Sequence, residues 1–146
     1  MVNNMENYWD GENWLTVKKD DDIIEYLNNG ELHRKDGPAS IFYNTNGYIS
    51  IKEYHYNGKL HRENGPSLIH YKDDGTILDE YFYINDKRHR KDGPAVIFYK
   101  NNETILNQFF YYNGINFDPD DLPFELPIDN PEKKFLFKLK YGVINE

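Results

Sequence analysis

A unit of 28 residues recurs three times between Asn29 and Tyr112, and no other feature constrains this chain so strongly. The copies read NGELHRKDGPASIFYNTNGYISIKEYHY from Asn29, NGKLHRENGPSLIHYKDDGTILDEYFYI from Asn57 and NDKRHRKDGPAVIFYKNNETILNQFFYY from Asn85. A fourth start, NGINFD at Asn113, breaks off. Upstream, IIEYLNNG (23–30) matches IKEYHYNG (51–58), so residues 1–28 read as a worn terminal copy. Terminal repeats are commonly atypical because they cap the stack.

Each copy predicts a β-hairpin with a linking turn. After each Gly-Pro, side-chain character alternates with period two through Ile, Val, Tyr and Phe. One face carries Ala39, Ile41 and Tyr43, then Ser67, Ile69 and Tyr71, then Ala95, Ile97 and Tyr99, and is the expected core. The other carries Ser40 and Phe42, Leu68 and His70, Val96 and Phe98. Polar tips follow (Asn44–Gly47, Lys72–Gly75, Lys100–Glu103), then return strands entered at Ile49, Ile77 and Ile105. Matching Glu53-Tyr54-His55-Tyr56 with Glu80-Tyr81-Phe82-Tyr83 and Gln108-Phe109-Phe110-Tyr111 puts the copies one residue out of step, a difference that a β-bulge absorbs. Asn-Gly junctions at 29, 57 and 113, and Asn85-Asp86, suit type I′ turns, which need two positive φ values. With strands about 4.8 Å apart, each copy should add roughly 10 Å to an elongated, twisted antiparallel sheet, an all-β rod.

The expected organisation is a cap (1–28), three repeats (29–56, 57–84, 85–112) and a tail (113–146). In the tail Pro119, Pro123, Pro127 and Pro131 enforce an extended segment. A short helix of about 130–141 then follows, with Asn130 as its cap, Pro131 at the first position, Lys138 and Lys140 near its end and Gly142 as stop. Phe135, Leu136 and Leu139 should face inward, covering an otherwise open edge strand.

Composition narrows function. Of the net charge of −8, residues 1–28 hold −5, the repeats 0 and the tail −3. Without a basic stripe the chain lacks the counterion-release energy behind nucleic-acid binding, so no nucleic acid is expected. No apolar run is long enough for a membrane span and no signal peptide is visible, while the absence of Cys fits a reducing compartment. A cytoplasmic location is the expectation.

The motif [NG]-x-L-H-R-x-[DN]-G-P-A followed by an aromatic hairpin resembles the variant MORN repeats (membrane occupation and recognition nexus), over residues 23–114. The resemblance implies a repeat scaffold for protein–protein contact or oligomerisation, phospholipid contact as a weaker alternative, no catalytic residues, and a viral or phage origin. On that footing the partner is a second copy or a host factor. The sequence departs from the motif at Arg88, against Leu32 and Leu60, and at Asn64, against Asp36 and Asp92.

Three sets of residues invite a chemical reading. His33, His61 and His89 recur once per unit, about 10 Å apart, too far to share one metal ion. They read as scaffold that satisfies turn carbonyls. Arg34, Arg62 and Arg90 follow them and should pair with the Asp two residues on or with a carboxylate of the next unit, and a phosphorylated ligand or phospholipid along this row is the alternative. No nucleophile elbow, zinc-protease motif or phosphate loop is present, and the acidic turns at 20–22 and 118–121 lack calcium-loop spacing, so neither enzyme, metal nor cofactor is expected. The outward strip Phe42, His55, His70, Phe82, Phe98 and Phe110, with Glu53 and Glu80 beside it, is the expected partner-binding face. It is either exposed for that partner or covered by Trp9 and Trp14 or by the tail helix.

Overall fold

A computed structural model describes residues 4–101 and 104–142; Asn102 and Glu103 of the third hairpin tip lie outside the described residues. The cap contributes β1 (Asn4–Trp9), β2 (Trp14–Lys19) and β3 (Ile23–Asn28). The first repeat gives β4 (Glu31–Leu32), β5 (Ser40–Tyr43), β6 (Ile49–Glu53) and β7 (His55–Tyr56). The second gives β8 (Lys59–Leu60), β9 (Leu68–Tyr71), β10 (Ile77–Tyr81) and β11 (Tyr83–Ile84), and the third β12 (Lys87–Arg88), β13 (Val96–Asn101) and β14 (Thr104–Tyr112). β15 (Ile115–Phe117), one 3-10 turn (Pro119–Asp121) and α1 (Pro131–Tyr141) complete the chain.

The strands form one open antiparallel sheet in the order β1-β2-β3-β5-β6-β9-β10-β13-β14-β15, with β4 on β3. The pairs β7-β8 and β11-β12 stand off it as two-stranded ribbons at the repeat junctions. Those junctions are the expected positive-φ turns: Asn29, Asn57, Asn85 and Asn113 have φ of 49 to 50°, followed by Gly30, Gly58, Asp86 at 64° and Gly114 in turn. Asp86 bears its positive φ with help. Its carboxylate accepts the Leu60 N–H at 2.8 Å and its own N–H donates to the Leu60 carbonyl at 3.0 Å.

All three hairpins carry the bulge, at the same place. Phe42 faces Ile51 while Tyr43 faces Ile49, His70 faces Asp79 while Tyr71 faces Ile77, and Phe98 faces Asn107 while Tyr99 faces Ile105. The extra residues are therefore Ser50, Leu78 and Leu106, each 28 after the last. The repeat keeps strict register, and the one-residue offset expected between copies is absent. Glu53, Tyr81 and Phe109 are equivalent, and so are Tyr54, Phe82 and Phe110. Because side chains alternate faces, this correction moves whole sets of residues across the sheet.

The front face carries Ile24, Ile41, Lys52, Ile69, Glu80, Ile97 and Gln108 in cross-strand register. Beside that row, Ala39, Ser67 and Ala95 are fully buried, and Ile69 and Ile97 are nearly so, as expected of a core face. The burial is not one-sided, however. Ser40, Val96 and Asp79 are also buried, and they lie on the back face. The reason is that each strand is flanked on both faces by long cross-strand neighbours, so small residues vanish beneath Glu53, Tyr81 and Phe109 as readily as on the front.

At the far end a separate core forms from Tyr112, Phe117, Ile128 and Phe137, with Phe110, Ile115, Leu122, Phe124, Leu126 and Tyr141 packed around it. The helix has the expected bounds, with Asn130 accepting the Lys133 N–H and Gly142 at φ 71°. Its inward residue is different: Phe137 is 1% exposed, whereas Phe135 and Leu139 are 61% and 55% exposed. Phe137 wins because it meets Tyr112 and Phe117 edge-on at 5.1 and 5.2 Å and lies tilted against Tyr141 at 4.7 Å. The helix thus seals the end of β14 at Tyr112 and leaves Thr104–Phe109 exposed, rather than covering that edge. Among the described residues no helix is long and apolar enough to cross a membrane.

Candidate functional site

The repeated arginines sit inside a fixed frame on the front face. Arg34, Arg62 and Arg90 lie 4.0, 3.9 and 4.2 Å over the rings of Tyr26, Tyr54 and Phe82. The other side of each guanidinium rests on the Gly of the Asp/Asn-Gly-Pro turn. A Cβ added at Gly37, Gly65 or Gly93 would come 2.9, 3.1 or 3.2 Å from the guanidinium carbon. The following carbonyls, of Pro38, Pro66 and Pro94, accept at 3.5, 3.0 and 3.2 Å. Arg34 and Arg90 also pair with Asp36 and Asp92 at 2.7 and 2.9 Å, whereas Arg62, with Asn64 in that position, has no carboxylate within ion-pair distance among the described residues. Ring, glycine and carbonyl hold each fork in place, which explains why the motif needs Arg, Gly and Pro together. Tyr8 of β1 closes the cap over this row, its hydroxyl bonded to Asp36 and its ring 4.8 Å from Arg34.

The histidines latch each unit to the next. Nδ1 of His33 accepts the backbone N–H of Asn57 at 3.0 Å, while Nδ1 of His61 and His89 lies 2.9 and 2.7 Å from the side-chain oxygen of Asn85 and Asn113 and 3.3 and 3.2 Å from their backbone nitrogens. Their partner is thus the Asn of the following turn, not the turn carbonyls expected from sequence. His33 is 1% exposed, with Nε2 3.6 Å from Asp10. Burial opposes charge on Asp10, yet N–H groups of Asn13, Lys35 and Glu12 hold its carboxyl below the usual range. Burial pushes His89 below its ordinary pKa. Between the first two turns lies an open cleft of about 1250 Å³, lined by cations (Arg34, Lys59, Arg62) and anions (Glu12, Asp36, Glu63) alike. Among the described residues no three His, Asp or Glu side chains are grouped to hold a metal ion.

The back face carries a row of half-buried rings that ends on an exposed one, Phe109. His70, Tyr81, Phe98 and Phe109 run across four strands, each ring edge-on to the next at 5.8, 6.0 and 6.3 Å. Asp79 lies buried among them, its carboxylate 2.5 Å from His70 Nδ1. Burial, with Asp79 adding to it, pushes the Tyr81 hydroxyl above its ordinary pKa. Tyr83 stacks on Tyr81 at 6.5 Å, Phe109 is 41% exposed, and Arg88 borders the row. At the other end of the sheet Trp9 and Trp14 face each other at 5.5 Å, 49% and 70% exposed.

Of the expected strip, Phe42, His70 and Phe98 do share this face. His55 lies instead in the ribbon β7-β8 off the main sheet, its Nε2 3.2 Å from the Glu53 carboxylate and its side chain only 11% exposed. Phe82 and Phe110 belong to the front face: Phe82 lies under Arg90, and Phe110 packs on Phe117 at 5.9 Å in the terminal core. Glu80 is on the front as well, accepting from Tyr99 at 2.7 Å; burial and this contact raise the Tyr99 pKa to about 12. The residues that sequence reasoning missed are Tyr81, Phe109, Arg88 and Tyr111. The unbroken period of 28 places Tyr81 and Phe109 in line with Glu53, but only the bulge positions fix the face they share. Neither Trp9 and Trp14 nor the residues of the terminal core are among the aromatic contacts of this row.

Comparison with protein families, curated proteins and solved structures gives no match, so geometry carries the functional argument.

Proposed function

We propose that this chain is a non-enzymatic scaffold of tandem hairpins whose back face docks a protein partner, either a second copy or a host factor. One observation carries the reading: His70, Tyr81, Phe98 and Phe109 form an uninterrupted ring row that, among the described residues, no ring of the terminal segments contacts. Edge-to-face packing fixes the rotamers before any partner arrives, so little side-chain entropy is lost on binding. Tyr, Trp and Arg are also the residues on which binding energy concentrates at protein interfaces. The row of Arg34, Arg62 and Arg90 suits a ligand less well, since each guanidinium is already packed between a ring and a glycine. The resemblance to variant MORN repeats supports a viral or phage interaction protein acting inside its host.

The test is concentration-dependent light scattering together with affinity capture from host lysate, using the parent chain and a Phe98→Ala/Phe109→Ala variant. The parent should self-associate or retain a defined protein, and the variant should lose that association at unchanged secondary structure. A parent that stays monomeric and retains nothing, or a variant indistinguishable from it, rejects the proposal.

A further inference from the structure

Arg88 occupies the position that the first two copies fill with Leu32 and Leu60. In those copies the cross-strand pairs are Leu27 with Leu32 and His55 with Leu60, whereas here Arg88 faces Tyr83. Its Nε donates to the Tyr83 hydroxyl at 3.4 Å and its Nη1 to the Tyr111 hydroxyl at 3.3 Å. The guanidinium carbon is 5.2 Å from the Tyr111 ring and 5.9 Å from that of Tyr81. Arg34 and Arg90 each have an aspartate, but among the described residues no carboxylate lies within ion-pair distance of Arg88. Two long bonds to neutral hydroxyls leave several of the five guanidinium donors of a half-buried side chain without an anionic partner. The three tyrosines form a frame that orients the fork while leaving its charge uncompensated.

We infer that Arg88, held by Tyr83 and Tyr111, is the polar anchor of the docking face and takes a carboxylate that a protein partner carries beside an apolar or aromatic side chain. The inference rests on the docking reading above and names the chemistry of the partner. Tyr81 touches both Arg88 and Phe98, so an acid bound at Arg88 places its neighbouring side chain on the ring row. The planar guanidinium matches a planar carboxylate with two parallel hydrogen bonds. A single cation balances a single negative charge; a phosphate dianion would leave charge over on a chain whose net charge is already −8.

Nuclear magnetic resonance titration of the full chain tests this, following the Arg88 Nε–H and the ring signals of Tyr83, Tyr111 and Phe98. The probes are N-acetyl-phenylalanine, its carboxamide and inorganic phosphate. The acid should shift the Arg88 Nε–H and all three rings, and the carboxamide should shift the Phe98 ring alone, with about tenfold weaker affinity. Arg88→Leu installs the residue of the other two copies, so the fold should stand, and the preference for acid over amide should vanish. Arg88→Lys should recover only part of it. Equal binding of acid and amide with the Phe98 shift retained, or an acid preference that survives Arg88→Leu, overturns the inference and leaves the docking face intact. Phosphate displacing the acid from Arg88 overturns it as well. Silence of the Phe98 ring toward both acid and amide overturns the docking reading itself.

Discussion

Replacing Arg62 by Ala separates a structural arginine row from a ligand-binding one. In the structure the substitution removes a guanidinium 3.9 Å over the Tyr54 ring and a charged hydrogen bond of 3.0 Å to the Pro66 carbonyl. It also removes the stem packed on the turn. A partly buried cation–π contact is worth about 1 kcal/mol. The charged hydrogen bond adds about 1 kcal/mol, and the lost aliphatic packing about 0.5 kcal/mol. The expected loss is therefore about 2.5 kcal/mol, and with a urea slope of about 2 kcal/mol per molar for a chain of this size the midpoint should fall by roughly 1.2 M. Arg62→Met keeps the stem and should lose about 2 kcal/mol, by the same cation–π and hydrogen-bond magnitudes. The assay is urea unfolding followed by far-ultraviolet circular dichroism and by tryptophan fluorescence. Both tryptophans, Trp9 and Trp14, lie in the first hairpin. A change in unit two that shifts their signal equally shows that stability passes between neighbouring repeats. A loss below about 0.5 kcal/mol, the size of an ordinary surface substitution, would refute the scaffold argument and return the row to the ligand reading.

Other outcomes follow from the same contacts. Asp86→Ala keeps the positive φ but loses the bond to Leu60, and should cost about 1 to 2 kcal/mol in chemical denaturation; Asp86→Gly removes bond and strain together and should be near neutral. His89 is pushed below its ordinary pKa by burial, with Lys134 and Lys91 adding to the shift. Since the folded state favours the neutral ring, its stabilising effect is complete above about pH 6.5 and is lost as pH falls through the lower folded value. The urea midpoint should therefore drop less between pH 7 and pH 5 in His89→Gln than in the parent, and equal slopes would contradict the burial argument. Phe137→Ala opens the terminal core and should cost about 3 to 4 kcal/mol. It should also melt α1 first, seen as early loss of helical dichroism, because an 11-residue helix does not hold itself together in water.

Much of this molecule follows from local rules. The 28-residue period, the hairpins, the positive-φ Asn turns and the bounds of α1 are all set by residues within a few positions of one another. Asn130, Pro131 and Gly142 set where the helix begins and ends, although its stability comes from packing. Reading the Arg and His positions as scaffold also needs only the period, because one residue per repeat cannot converge on one ion. The identity of their partners is another matter. Asn57 reaches His33 from 24 residues away, and Tyr26 reaches Arg34 through strand pairing.

What the tertiary structure alone decided was which face each aromatic side chain occupies and what each end of the sheet covers. A strand has a side-chain period of two, so a bulge placed one residue differently exchanges front and back for every residue beyond it. Matching EYHY with EYFY places Phe82 and Phe110 on the docking face. Pairing of Ser50, Leu78 and Leu106 as bulges puts Tyr81 and Phe109 there instead. The helix shows the same limit: Phe135, Leu139 and Phe137 are equally apolar in sequence, and only the rings of Tyr112 and Phe117 select Phe137. Turns and caps are fixed by neighbours along the chain, whereas faces and contacts depend on the cumulative register of all the strands before them.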